Sequence, residues 1–148
     1  MAVDSRKIDY YSVPQGGIPA SDLAEGAKTT IIMANDAGFD MVGITAEIAK
    51  LARFIVDSVN LFAPSKIKAA IGLKSSVVTA TASCEFYIDS EVSPRLTLST
   101  TATTESKLAG SFSVSGLTDG IHTLTLKVKS SGASDTATLE LTEIYMMP

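Results

Sequence analysis

The stretch MVGITAEIAKLARFIVDSVNLF, Met41 to Phe62, is the most periodic in the chain. Met41, Ile44, Ile48, Leu51, Ile55, Ser58 and Phe62 recur by threes and fours, the spacing of one helical face. They fit a and d of a heptad, with Glu47, Lys50, Arg53 and Asp57 between them. Gly43 disfavours an early start, Thr45 serves as an N-cap, and Pro64 stops the run. The spacing therefore predicts a helix of about 18 residues, roughly 27 Å long. Val42, Phe54, Val56 and Val59 lie off the seam, so such a helix needs neighbours on several sides. Ile at a with Leu or Ile at d favours three or more strands over two. The expectation is a homo-oligomer, a homotrimer, closed by Met41, Ile44, Ile48, Leu51, Ile55 and Phe62.

Upstream, Ser21 reads as another N-cap, with Asp22 and Glu25 in the first turn and a thin apolar stripe at Leu23, Ala27, Ile31 and Ala34. Before it, Pro14, Gly16, Gly17 and Pro19 sit too close together for a helix or a central strand. Residues 1–20 are thus expected to be an extended docking arm, with Tyr10, Tyr11, Ile18, Pro19 and Leu23 as its anchors. After Phe62, residues 64–75 read as a linker.

From Val78 the period changes to two. Val78, Ala80, Ala82, Cys84, Phe86 and Ile88 alternate with Thr79, Thr81, Ser83, Glu85 and Tyr87, as in a half-buried antiparallel strand. The same alternation recurs at Leu96–Leu98, Leu108–Val114, His122–Val128 and Ala137–Leu141, with turns in SEVSP, GLTDG and SSGASD. Strands with one apolar face must pack sheet on sheet. Residues 76–148 are expected to form a β-sandwich domain. The fold class that results is α+β: an arm (1–20), a coiled-coil-like helical region (21–63), a linker and a C-terminal antiparallel sandwich.

Composition narrows the function. A net charge of −4 argues against nucleic-acid or anionic-membrane partners, which want a basic stripe. Lys66, Lys68 and Lys74 are too few to make one. No run of ~18 uncharged apolar residues and no signal-like N-terminus occur. The single cysteine, Cys84, cannot build a disulfide framework, and with the single histidine, His122, it cannot supply four zinc ligands. His122 has no nucleophile and carboxylate that the sequence order singles out for a triad. The expectation is a protein with no catalytic residues, no metal and no cofactor. Tyr87 and Tyr145 are the candidate contacts for a sugar face.

Two segments resemble known families. GGIPASDLAEGAK, Gly16 to Lys28, resembles a segment near the N-terminus of tailed-bacteriophage head-fibre and related virion appendage proteins, through Ile18, Pro19, Asp22 and Leu23. After Gly26 it departs from their pattern. GLTDGIHTLTLKVKSSGASDTATLELTEIYM, Gly116 to Met146, is similar to the last two strands of jelly-roll and immunoglobulin-like sandwiches, found in carbohydrate-binding modules and in phage tail and capsid accessory domains. The resemblance implies a non-enzymatic virion structural protein (a head fibre, decoration or tail-appendage subunit). It would dock on capsid or tail proteins by its N-terminal region and display the sandwich, with host-surface glycans as further partners. The alternative is a carbohydrate-binding module of an adhesion protein.

Overall fold

The structure is a computed structural model that describes residues 30–59 and 63–148. Nine strands follow one another: β1 (Thr30–Asn35), β2 (Phe39–Val42), β3 (Glu47–Val56), β4 (Lys66–Ser75), β5 (Ala82–Ile88), β6 (Leu96–Thr100), β7 (Ser106–Ser113), β8 (Gly120–Ser130) and β9 (Thr136–Met147). They form two antiparallel sheets packed face to face. Sheet A runs β1-β9-β4-β7, with β2 also paired to β9; sheet B runs β3-β8-β5-β6. The α+β expectation is overturned: among the described residues there is no helix, and the fold is an all-β sandwich.

The helical reading of 41–63 fails for a physical reason. Within β3, Ala52, Phe54 and Val56 pair with the inward side of β8, while Leu51, Arg53 and Ile55 turn outward. A bulge lies between Ile48 and Lys50. The extra residue shifts the phase, so outward positions fall at 48, then 51, then 55. A bulged strand has thereby imitated a spacing of three and four. Farther back, Gly43 adopts a φ of 99° and ends β2 in a turn. An added Cβ there would stand 3.2 Å from the Ala133 carbonyl oxygen. Gly43 also bonds to the β8–β9 turn, donating to Asp135 and accepting from Ser130.

The linker expectation is corrected as well. Residues 66–75 are β4, an inner strand of sheet A held between β9 and β7. Ile67, Ala69, Ile71 and Leu73 are all buried. Their alternation was present in the sequence, but Ala69, Ala70, Gly72 and three lysines diluted it. The segment 30–34, read as part of a helix, is β1 and pairs with β9. The arm residues Tyr10, Tyr11, Ile18, Pro19 and Leu23, together with Phe62, lie outside the described residues.

The core lies between the sheets and draws on both parts of the chain. Phe54 and Val56 of β3 and Met41 of β2 join Phe86, Phe112, Leu124 and Ile144 in one cluster. Phe86 and Phe112 meet across it, ring centroids 6.2 Å apart. One buried polar atom has no partner among the described residues, the Thr142 hydroxyl. A buried hydroxyl without a hydrogen bond costs roughly 1–3 kcal/mol. Thr142→Val should therefore raise unfolding stability by about 1 kcal/mol in urea titration; a loss would mean that the hydroxyl has a bonded role.

Candidate functional site

The outer face of sheet B divides into two zones. On the β3 side, Ile48, Leu51 and Ile55 are 54%, 55% and 54% exposed. Ile55 faces Ile121 of β8, which is 69% exposed, as a direct register pair. Ile44, in the turn before β3, is exposed too. Arg53 sits among them. A run of exposed branched apolar side chains on one sheet face is unlike the scattered exposed residues of an ordinary surface.

Toward β5 the face is polar and closed. Tyr87 Oη donates to Glu85 Oε2 at 2.6 Å, and Lys129 Nζ lies 2.6 Å from Glu85 Oε1. Lys127 Nζ stands 4.7 Å from the Tyr87 ring centroid. Burial pushes the Glu85 carboxyl up, but the hydrogen bonds from Lys129 and Tyr87 outweigh it and hold the group below its usual range. The Tyr87 hydroxyl is pushed up to about 12, first by burial and then by its bond to Glu85. Tyr87 is only 8% exposed. A tyrosine whose ring face carries an ammonium group is a poor sugar platform.

At the end of the sandwich, Asp89 adopts a φ of 52°, the left-handed region that a short polar side chain tolerates. Its backbone N–H donates to the Thr123 carbonyl, and its Oδ1 accepts from the Thr123 N–H at 2.8 Å. His122 donates from Nδ1 to Asp89 Oδ2 and from Nε2 to the Thr118 carbonyl, both at 2.8 Å. Two acceptors on two ring nitrogens call for the doubly protonated ring. The bond to Thr118 and then that to Asp89 raise the imidazole above its ordinary value. The bond from His122 and then that from Thr123 lower Asp89. Phe54 packs against the ring at 5.7 Å between centroids. The nitrogen a triad would aim at a nucleophile is held by a backbone carbonyl, so His122 is a clamp between β8 and the β5–β6 turn.

The pH dependence follows. His122 contributes stability below the unfolded imidazole value, about 6.5, and loses it as pH rises through the raised folded value. Asp89 contributes above about 3.9 and loses it as pH falls through its lowered folded value. Both contributions are complete between those two pH values. The melting temperature should peak in that window and fall on the alkaline side. His122→Asn should flatten the alkaline fall. An identical fall in the variant would show that another group is responsible.

Cys84 is fully buried, and its thiol is pushed up to about 12 by burial and then by Glu85. It behaves as a small core hydrophobe. Asp36, Asp40, Lys74, Thr138 and Glu140 line a groove of about 550 Å³ on sheet A. Three of its four charged groups are engaged: Lys74 pairs with Glu140, and Thr138 donates to Asp40. Among the described residues no cluster of His, Cys, Asp or Glu is arranged to hold a metal.

Of the residues expected to form an oligomer seam, Ile48, Leu51 and Ile55 share the exposed strand face and Ile44 lies just before it, while Met41 is in the core. The two tyrosines separate: Tyr87 lies on sheet B and Tyr145 on sheet A, where its hydroxyl donates to Glu143 at 3.1 Å. Ile121 was missed. Its signal was an isoleucine at an outward position of a strand whose other outward residues are Thr123, Thr125, Lys127 and Lys129.

No family model matches the chain, and no curated protein matches it. Among solved structures, one described as "CBM4 structure and function" is similar over 76% of this chain and 88% of its own, with a TM-score of 0.44 and 8% identity. At that level of likeness it assigns this chain neither a family nor a function.

Proposed function

We propose that this chain is a non-enzymatic assembly subunit, a sandwich that associates with copies of itself through the outer face of β3 and the start of β8. The observation that carries the reading is the exposed apolar strip of Ile44, Ile48, Leu51, Ile55 and Ile121. Such a strip is on the order of 400 Å², the size at which patches mark interaction sites. With its flanking polar residues it approaches the ~800 Å² per partner of a standard interface. Association is through the face and not the strand edge. The β3 edge carries a bulge, and Lys50 reaches across to Asn35 Oδ1 and the Ala37 carbonyl at 3.0 and 2.7 Å. Bulges and lysines are the devices that keep edge strands from pairing.

The expected copy number of three rested on a helical seam, so the present reading is association without a fixed stoichiometry. The finer form, a tailed-phage virion appendage that docks on capsid or tail proteins, rests on the resemblance of Gly16 to Lys28. The test is the double variant Leu51→Lys plus Ile55→Lys. Two unpaired charges in a closed apolar contact should weaken association about 100-fold or more. Light scattering should then report a smaller species with an unchanged far-ultraviolet spectrum. A folded variant with the wild-type mass would refute the interface.

A further inference from the structure

Sheet A's outer face offers a second surface with different chemistry. Its cross-strand rows read Tyr145–Lys68–Ser111 and Met147–Lys66–Ser113. Neighbouring strands stand about 4.8 Å apart, so each row spans roughly 10 Å. In the next row, Glu143–Ala70–Ala109, the two alanines leave the β4–β7 side low. The result is a groove of about 310 Å³ lined by Lys66, Lys68, Ala109, Gly110, Ser111 and Met147.

Apart from Arg53 on sheet B, the cations of the described residues outside this face are engaged. Lys74, Lys129 and Arg95 have carboxylate partners, Lys50 bonds to Asn35 and Ala37, and Lys127 covers Tyr87. Among the described residues, Lys66, Lys68 and Lys107 have no such partner, and all three project from this face of an acidic protein. The acid beside the groove is Glu143, whose Oε2 accepts the Tyr145 hydroxyl and so orients the ring. Among the described residues no cation lies over the Tyr145 ring as Lys127 lies over Tyr87, and Tyr145 is partly exposed.

We propose that this groove, together with Tyr145 beside Lys68 and Ser113 beside Lys66 on the same sheet face, binds an acidic glycan, a chain of uronate-type sugars. Tyr145 offers an apolar ring for the C–H face of a pyranose. Lys68, next to it in the row, receives that sugar's carboxylate, and Lys66, about 7 Å along the strand, receives a second. Ser111 and Ser113 hydrogen-bond sugar hydroxyls. One charge per ring matches two or three lysines, whereas a polyphosphate chain would call for a longer basic stripe. The site faces away from the interface proposed on sheet B, so an assembly would present several copies outward and gain avidity.

The experiment is a titration of the isotope-labelled full chain with tetragalacturonate, followed by amide chemical shifts at low salt. Shift changes are expected at Lys66, Lys68, Ser111 and Tyr145, with neutral cellotetraose giving none. Tyr145→Ala and Lys68→Ala should each weaken binding about 10-fold or more, and Lys68→Arg should largely retain it. These side chains lie on the outer surface, and unshifted core resonances will report that each variant is folded. No shifts with the acidic sugar, equal shifts with the neutral one, or binding of inorganic pyrophosphate that matches the glycan and ignores Tyr145→Ala would each overturn the proposal. The titration is repeated on the Leu51→Lys plus Ile55→Lys variant, so failure of self-association leaves the glycan result readable.

Discussion

Phe54→Ala should remove about 3–4 kcal/mol from the unfolding free energy, and with it roughly 10 °C of melting temperature. Phe54 is 6% exposed, belongs to the common core and covers the His122 ring. Its loss opens a cavity and also wets the clamp between His122 and Asp89. The size matters because a domain of this length holds only ~5–15 kcal/mol in total. If residues 41–63 were a stalk outside the sandwich, the same truncation would leave the cooperative transition of the β domain unmoved. Thermal and urea unfolding, read by near-ultraviolet signals from the tyrosines, separate the two outcomes.

Ile71→Ala should cost a comparable amount, about 3 kcal/mol. Ile71 is 2% exposed on β4, paired on one side with Leu108 and on the other with Thr142. An inner strand has neighbours on both edges and a sheet across the core, so the hole cannot collapse onto solvent. A residue in a linker would tolerate alanine within ±0.5 kcal/mol. Urea midpoints for wild type and variant, at unchanged slope, measure the difference directly.

How much of this was legible in the sequence differs along the chain. From β5 to β9 the alternation of period two, read over Val78–Ile88, Leu96–Leu98, Leu108–Val114, His122–Val128 and Ala137–Leu141, overlaps the five strands, because each has a more buried face and regular turns. Val78 was placed in the first of these, yet it is 70% exposed and β5 starts at Ala82. The earlier half was misread where irregularity defeats periodicity. The bulge in β3 and the turn at Gly43 convert a two-residue repeat into threes and fours. In β4 the inner position allows small residues, Ala69 and Gly72, and the apolar signal thins. Pairing with β8 and β9, distant in sequence, decides both strands, and local pattern cannot contain it.

The candidate site was legible in its residues and not in its geometry. Ile44, Ile48, Leu51 and Ile55 stood out as apolar residues wanting a partner, and they remain exposed on a strand face and the turn before it. Choosing between Tyr87 and Tyr145 required knowing that Lys127 occupies one ring. The pairing of Asp89 with His122 joins positions 33 residues apart and had no motif to announce it.

Self-association through the β3 face is tested most directly by sedimentation equilibrium of the native chain at micromolar concentration. The expected mass is 15.4 kDa times a whole number greater than one. A single ideal species of 15.4 kDa across the concentration range would contradict it.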